Sequence, residues 1–242
     1  MEIKAVIFDI DGTLVSVGKD YSYIKDFHVL YKEVLKRFTG KDFSHLTGDE
    51  IYDTIRLPYN ESVRILNGWG IKDPEEFWNV IEKEDLIKRK SMTNDMIFPY
   101  PDAVSLIKEL KENGNSIKLG ILANIPESVA RAELEGTKLL RFFDHLCCFH
   151  YNSPNSKPSG WAIRKMLSEW GIPKESAWMF GDAEQDVEAG RDAGVWTGRV
   201  FRNDRSIKQA LKPDVEGSDL LELWRKANEM QVRQEVRVLQ EV

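Results

Sequence analysis

Asp9 and Asp11 stand one residue apart, directly after the apolar run Ala5-Val6-Ile7-Phe8, and Gly12 and Thr13 follow them. Alternate residues of a strand face the same side, so an extended chain here presents both carboxylates together, and Gly12 permits the backbone to turn away. A second apolar run, Trp178-Met179-Phe180-Gly181, delivers Asp182 in the same manner, with Asp186 shortly after. Clustered carboxylates can ligate a hard cation or attack an electrophile, but only with positive charge nearby. Two ions about 4 Å apart interact by roughly 4 kcal/mol at an effective dielectric near 20. Lys157, in the polar loop Asn152-Ser153-Pro154-Asn155-Ser156-Lys157-Pro158, is the candidate cation. Taken singly, these residues also fit a polar turn, acids that favour a helix dipole and a solvated lysine.

Taken together they narrow the choice. Asp9-Ile10-Asp11-Gly12-Thr13-Leu14, preceded by its apolar strand, resembles the first motif of the haloacid dehalogenase-like hydrolases, most of which are magnesium-dependent phosphatases. Gly181-Asp182-Ala183-Glu184-Gln185-Asp186 is similar to that superfamily's Gly-Asp-x-x-x-Asp motif, and Lys157-Pro158 to its conserved lysine. The resemblance implies that Asp9 is the nucleophile that becomes phosphorylated, and that Asp11 protonates the leaving oxygen and later helps deprotonate water. It implies magnesium held by Asp9, the Asp11 backbone carbonyl and Asp182, with Asp186 completing the metal shell or orienting water and Lys157. Oxygen ligands of this kind suit magnesium.

The second motif departs from the pattern. Leu119-Gly120-Ile121-Leu122 leads into Ala123 and Asn124, where relatives carry Ser or Thr at the position of Ala123 to hold the phosphoryl oxygens. The backbone N–H and side chain of Asn124 are expected to share phosphate binding with Lys157, near a helix N-terminus. Losing one hydrogen bond to a charged group costs roughly 1.5 to 3 kcal/mol, or about ten- to a hundredfold in rate. Slower catalysis is expected, and a binding-only protein is an alternative. Phosphoryl transfer between sugar hydroxyls, as in a mutase, uses the same motifs.

The elements that must position these residues follow a regular order. From Ile117 to Val200 apolar strands alternate with helices, near Glu127–Leu134, Trp161–Trp170 and Asp182–Ala193, which predicts a doubly wound parallel sheet covered on both faces. Such sheets bind ligands beyond the carboxyl ends of their strands, where every motif above falls. Between residues 17 and 96 the pattern is helical: Phe27, Leu30, Tyr31, Val34, Leu35 and Phe38 recur at three- and four-residue steps, and Pro74 opens a further helix. The expectation is therefore a Rossmann-like α/β core, residues 1–16 and 97–242, with an inserted all-helical cap domain, residues 17–96. Pro99 and Pro101 mark a hinge at its exit. Tyr21, Tyr23, Arg56, Arg64 and Trp69 are candidates to read the substrate from the cap.

Composition excludes some classes. The chain has 242 residues and a formal net charge of -6, which offers nucleic acid no general attraction. No run is apolar enough to span a bilayer and none has the form of a secretory signal, so a cytoplasmic location is expected. Cys147 and Cys148 are adjacent in an apolar strand and predict reduced thiols; His145 and His150 beside them are too few for a metal site. The expected partner is a small phosphorylated metabolite, with the protein a monomer or homodimer. Beyond Met230 the apolar pattern weakens, and that tail is expected to pack on the body, pair with a partner or fray.

Overall fold

The computed structural model describes residues 2–17, 22–57, 59–91, 97–112, 117–149, 153–202 and 211–240. Ala5–Phe8 forms the buried central strand β1, and a short strand β2, Val15–Val17, follows the acidic turn. Four helices come next: α1 Ser22–Thr39, α2 Gly48–Arg56, α3 Tyr59–Trp69 and α4 Pro74–Ser91. The chain then returns through β3, Ile97–Pro99, and α5, Pro101–Glu112. Alternation begins there: β4 Lys118–Ala123, α6 Glu127–Gly136, β5 His145–Cys148, α7 Trp161–Trp170, β6 Ala177–Gly181, α8 Glu184–Ala193 and β7 Trp196–Val200. β8, Val215–Gly217, and α9, Leu220–Gln240, complete the described chain.

The main sheet is parallel and six-stranded in the order β5-β4-β1-β6-β7-β8. Strand order reverses at β1, since β4 lies on one side of it and β6 on the other, and such a switch point opens a crevice at the strands' carboxyl ends. The period of two in β1 divides its side chains between two cores. Val6 and Phe8 face one with Trp178, Phe180 and α5, while Ala5 and Ile7 face the other with Met179 and the α7 residues Ile163 and Met166. The α/β architecture is thus the expected Rossmann-like one.

Helices α1 to α4 pack around an aromatic cluster. Tyr31 meets Phe77 at 5.2 Å and Trp78 at 5.8 Å between ring centroids, with Ile51, Leu66 and Ile81 also buried. The Tyr31 hydroxyl, buried with the ring, is paired with Thr54 at 2.6 Å, which satisfies an otherwise costly polar group. The α2 N-terminus carries a capping box, in which Thr47 accepts from the Glu50 N–H and Glu50 accepts from the Thr47 N–H.

Two features differ from the pattern read along the chain. Residues 15–17 and 97–99 pair as an antiparallel ribbon, with Val15 opposite Pro99, so the proline-rich return is a strand. A two-stranded ribbon has a free edge on which proline's missing N–H is harmless. Helix α9 runs through Met230 to Gln240 without a break despite the weakened apolar pattern. Cys147 is buried and Cys148 partly so; both are free thiols whose pKa values burial raises, that of Cys148 to about 12. Tyr21 and His150 lie outside the described residues. No helix among the described residues is long and apolar enough to cross a membrane.

Candidate active site

The sheet register sets the level of the site. Phe8 is opposite both Ile121 on β4 and Phe180 on β6, so Asp9 leaves β1 within two residues of the level at which Ala123 and Asp182 leave theirs. Three strand ends therefore deliver their terminal residues to one place. Two glycines allow the close approach. Gly12 has φ +81°, a left-handed conformation that favours glycine, and a Cβ there would overlap the Asp182 carboxylate. A Cβ at Gly181 would overlap the Asp186 carboxylate.

Asp9, Asp182 and Asp186 each offer a carboxylate oxygen within 4.8 Å of the others. Lys157 reaches into this cluster from its loop, with Nζ 2.6 Å from Asp9 Oδ1 and 2.7 Å from Asp186 Oδ1. Burial alone would lower the lysine's pKa, but Asp186 and Asp9 more than offset it, so the ammonium is held charged. The acids respond in the opposite sense. Burial raises the pKa of Asp9 well above the usual carboxylate range, Lys157 opposes the rise, and the neighbouring Asp186 and Asp182 add to it. Burial first and Asp186 second push Asp182 up to about 7. Three carboxylates and one lysine leave negative charge uncompensated, which a divalent cation among oxygen ligands would neutralise. The residues present fit such an ion.

Each group has a support. The Asn124 side chain accepts from the Lys157 N–H at 2.8 Å and donates to the Lys157 carbonyl at 2.9 Å, so its amide braces the lysine loop. That is a different use from the anion contact expected of its side chain. Asp186 accepts from the Ala183 N–H at 2.9 Å through one oxygen and from Lys157 through the other, which orients the lysine. Arg199 Nε donates to the Asp182 carbonyl at 2.8 Å. The Thr13 hydroxyl lies 3.4 Å from Asp9 Oδ2 and 3.5 Å from Asp182 Oδ1. Ala123 is buried at the end of β4 and brings only a methyl group.

Asp11 faces a second group of charges. Its Oδ2 accepts from Arg89 Nη1 at 3.0 Å, and the same nitrogen contacts Glu133 on α6, while Arg89 Nε pairs with Asp85 at 3.1 Å. Arg89 is on α4, so the helical segment contributes directly beside the acidic turn. Burial, followed by Asp11, raises the Glu133 pKa to about 8 against the opposing pull of Arg89. Sequence reasoning missed Arg89 and Glu133. The spacing of Glu82, Asp85 and Arg89 is what a solvated helix face would show, yet all are buried. Among the cap candidates, Arg64 is exposed and Trp69 packs near Phe43 at 6.2 Å. The side chains of Tyr23 and Arg56 lie outside the described residues.

A family model described as haloacid dehalogenase-like hydrolase matches residues 3–194. The chain is 27% identical over 218 residues to pyrophosphatase PpaX of Bacillus cereus, covering 88% of this chain and 91% of that one. It is 28% identical over 200 residues to phosphoglycolate phosphatase of Aquifex aeolicus, covering 81% and 83%. Among solved structures it superposes on CbbY of Rhodobacter sphaeroides in complex with phosphate, with TM-score 0.67, 19% identity and coverage of 91% and 99%. A HAD phosphatase of Thermococcus onnurineus gives TM-score 0.61 at 22% identity, with coverage of 93% and 97%. The chain belongs to the haloacid dehalogenase-like hydrolases.

Proposed function

We propose that this hydrolase is a magnesium-dependent phosphatase acting on a small phosphate ester or anhydride through a phosphorylated Asp9. The observation that carries the reading is the ion pair of Lys157 with Asp9, at 2.6 Å, inside the cluster that Asp182 and Asp186 complete at the strand ends. A lone structural salt bridge would not need four charged side chains gathered at a topological switch point. The relatives' names, a pyrophosphatase and a phosphoglycolate phosphatase, support a small phosphorylated substrate.

In this reading Asp9, the Asp11 carbonyl and Asp182 hold the cation, with Asp186 positioning Lys157 beside it. A bound magnesium ion would screen the carboxylates from the incoming phosphate and offset charge on the transferring group. Asp9 Oδ attacks phosphorus, the bond from phosphorus to the leaving oxygen breaks, and that oxygen takes the proton of Asp11. Water then attacks the phosphorylated Asp9 and gives its proton back to Asp11, which releases inorganic phosphate and frees the Asp9 carboxylate. Lys157 Nζ, held charged by Asp9 and Asp186, stabilises the transferring group, and splitting one displacement into two lowers each barrier.

Residues 17–96 serve as the cap, hinged at the β2–β3 ribbon, and exclude water from the site when docked. Ala123 supports a second reading, a slow or binding-only member, because the hydroxyl expected at the end of β4 is absent. Release of inorganic phosphate from a panel of phosphate esters and from pyrophosphate, with magnesium, tests the choice. Turnover that vanishes in Asp9→Asn is the expected result. Tight magnesium-dependent binding of phosphate esters without release would select the second reading.

A further inference from the structure

Strand β7 carries none of the site's acids, yet its carboxyl end sends an arginine to each of the two turns that do. Arg199 is in register with Gly181 on β6, and its Nε donates to the Asp182 carbonyl at 2.8 Å. Arg202 follows just past the strand. It donates through Nη2 to the Thr13 carbonyl in the acidic turn and through Nη1 to Asp102 Oδ2 at 2.7 Å. Asp102 is in the first turn of α5 and also accepts from the Leu220 N–H at the start of α9, at 2.8 Å. The Arg202 guanidinium lies 3.9 Å from the centroid of the Tyr100 ring. The arginine that holds Thr13 is thus itself held by the core.

Neither stability nor attraction accounts for Arg199. It is 2% exposed, and its Nη1 is buried with no hydrogen-bond partner among the described residues, an arrangement that costs stability. A guanidinium beside a site for a divalent cation also repels that ion. What it supplies is direction, because a planar fork fixes the group it binds. The two turns touch: the Asp182 carboxylate lies where a Cβ on Gly12 would be, so a shift of either turn displaces the other. We propose that Arg199 and Arg202 are positioning residues that fix the main chain of both turns from β7 and thereby set the affinity of the site for its divalent cation. This rests on the reading of Asp9, the Asp11 carbonyl and Asp182 as the cation's ligands. Groups one step removed from a metal's ligands hold those ligands in place, and losing one typically weakens binding about ten- to a hundredfold.

The rise in Tm with magnesium concentration, without substrate, yields a Kd and separates this role from support of the fold. A purely structural role moves the metal-free Tm and leaves Kd where it was. Arg199→Met should raise Kd for magnesium about ten- to a hundredfold, and Arg202→Met should raise it by a smaller factor. Arg199→Lys, which keeps the charge and a donor but not the fork, should fall between wild type and Arg199→Met. It decides the matter if the Met variants fail to fold, since it too should bind magnesium more weakly than wild type. An unchanged Kd in the folded variants would overturn the inference, as would a lower Kd in Arg199→Met, the result for a guanidinium that only repels the ion. Either outcome leaves the phosphatase reading intact. A wild-type protein whose Tm does not respond to magnesium would overturn both.

Discussion

Two clusters flank the acidic turn, and each sets one buried cation among carboxylates. Lys157 lies among Asp9, Asp186 and Asp182, while Arg89 lies among Asp11, Asp85 and Glu133. They are joined through Asp9 and Asp11, one residue apart, yet they are built differently. The lysine cluster is built from the ends of β1 and β6, the Lys157 loop and the first turn of α8. The arginine cluster spans α4, α6 and the acidic turn, so it exists only when the segment from β2 to β3 packs on the core. A compact ammonium suits a place where charge must be supplied to a transferring group. A planar fork suits one where a carboxylate must be oriented.

Substitutions that break the lysine cluster should have the largest effects. Asp9→Asn should reduce phosphate release to background, measured with magnesium and the best ester found, because no other carboxylate occupies its place in the strand. Lys157→Met comes next. It should lower kcat on the order of 10²-fold or more, and by leaving buried acids uncompensated it should cost up to about 3–5 kcal/mol in a denaturant titration. A smaller loss would mean that protonation of Asp182 or Asp9 relieves the imbalance.

Adding to the same cluster should have a moderate effect of opposite sign. Ala123→Thr should raise kcat about ten- to a hundredfold, the value of one hydrogen bond to a charged group made in the transition state. No gain in single-turnover kinetics would show that other donors already fill that position. On the arginine side, Asp85→Asn should lower kcat by no more than about tenfold, since Arg89 keeps Asp11 and Glu133, and should destabilise by about 1–3 kcal/mol. A loss as large as that of Lys157→Met would erase the distinction between the clusters.

The smallest effect is on stability against pH and touches both clusters. Asp182, at about 7, and Glu133, at about 8, hold their protons to higher pH in the folded chain than carboxylates do in an unfolded one. Their contribution to stability is therefore fully present at low pH, declines above the ordinary carboxylate range and is gone once pH passes those values. Without divalent cations, Tm should fall by several degrees from about pH 6 to about pH 8.5. Magnesium should restore most of the loss at the upper pH, because it binds the ionised carboxylates. A Tm that rises over this range would contradict the uncompensated charge on which the cation site is argued.

Much of the lysine side was legible along the chain, and the reason is local. Asp9 and Asp182 each sit where an apolar run ends with a glycine close by, Asp186 follows Asp182 by four residues, and Lys157 sits in a loop composed to turn. Such signals occupy a few consecutive residues. Arg89 carries no comparable signal, because Asp85 and Arg89 at a four-residue spacing read as an exposed helical ion pair. Glu133 likewise falls in an ordinary amphipathic helix. The β2–β3 ribbon was hidden for another reason: each strand is three residues long, one contains Pro99, and neither shows alternation long enough to register.

By itself the sequence determined the alternation of strand and helix, the acids at the strand ends and the helical character of the segment between β2 and β3. Periodicity and turn chemistry are properties of neighbouring residues and need no partner to be read. Only the tertiary structure decided that Asn124 braces Lys157, that Ala123 is buried at the end of β4 as a bare methyl, and that Arg89 meets Asp11 across 78 positions of chain. Those outcomes depend on which distant groups are desolvated together. Burial converts an ordinary pair of charges into an oriented one, and no local pattern records it.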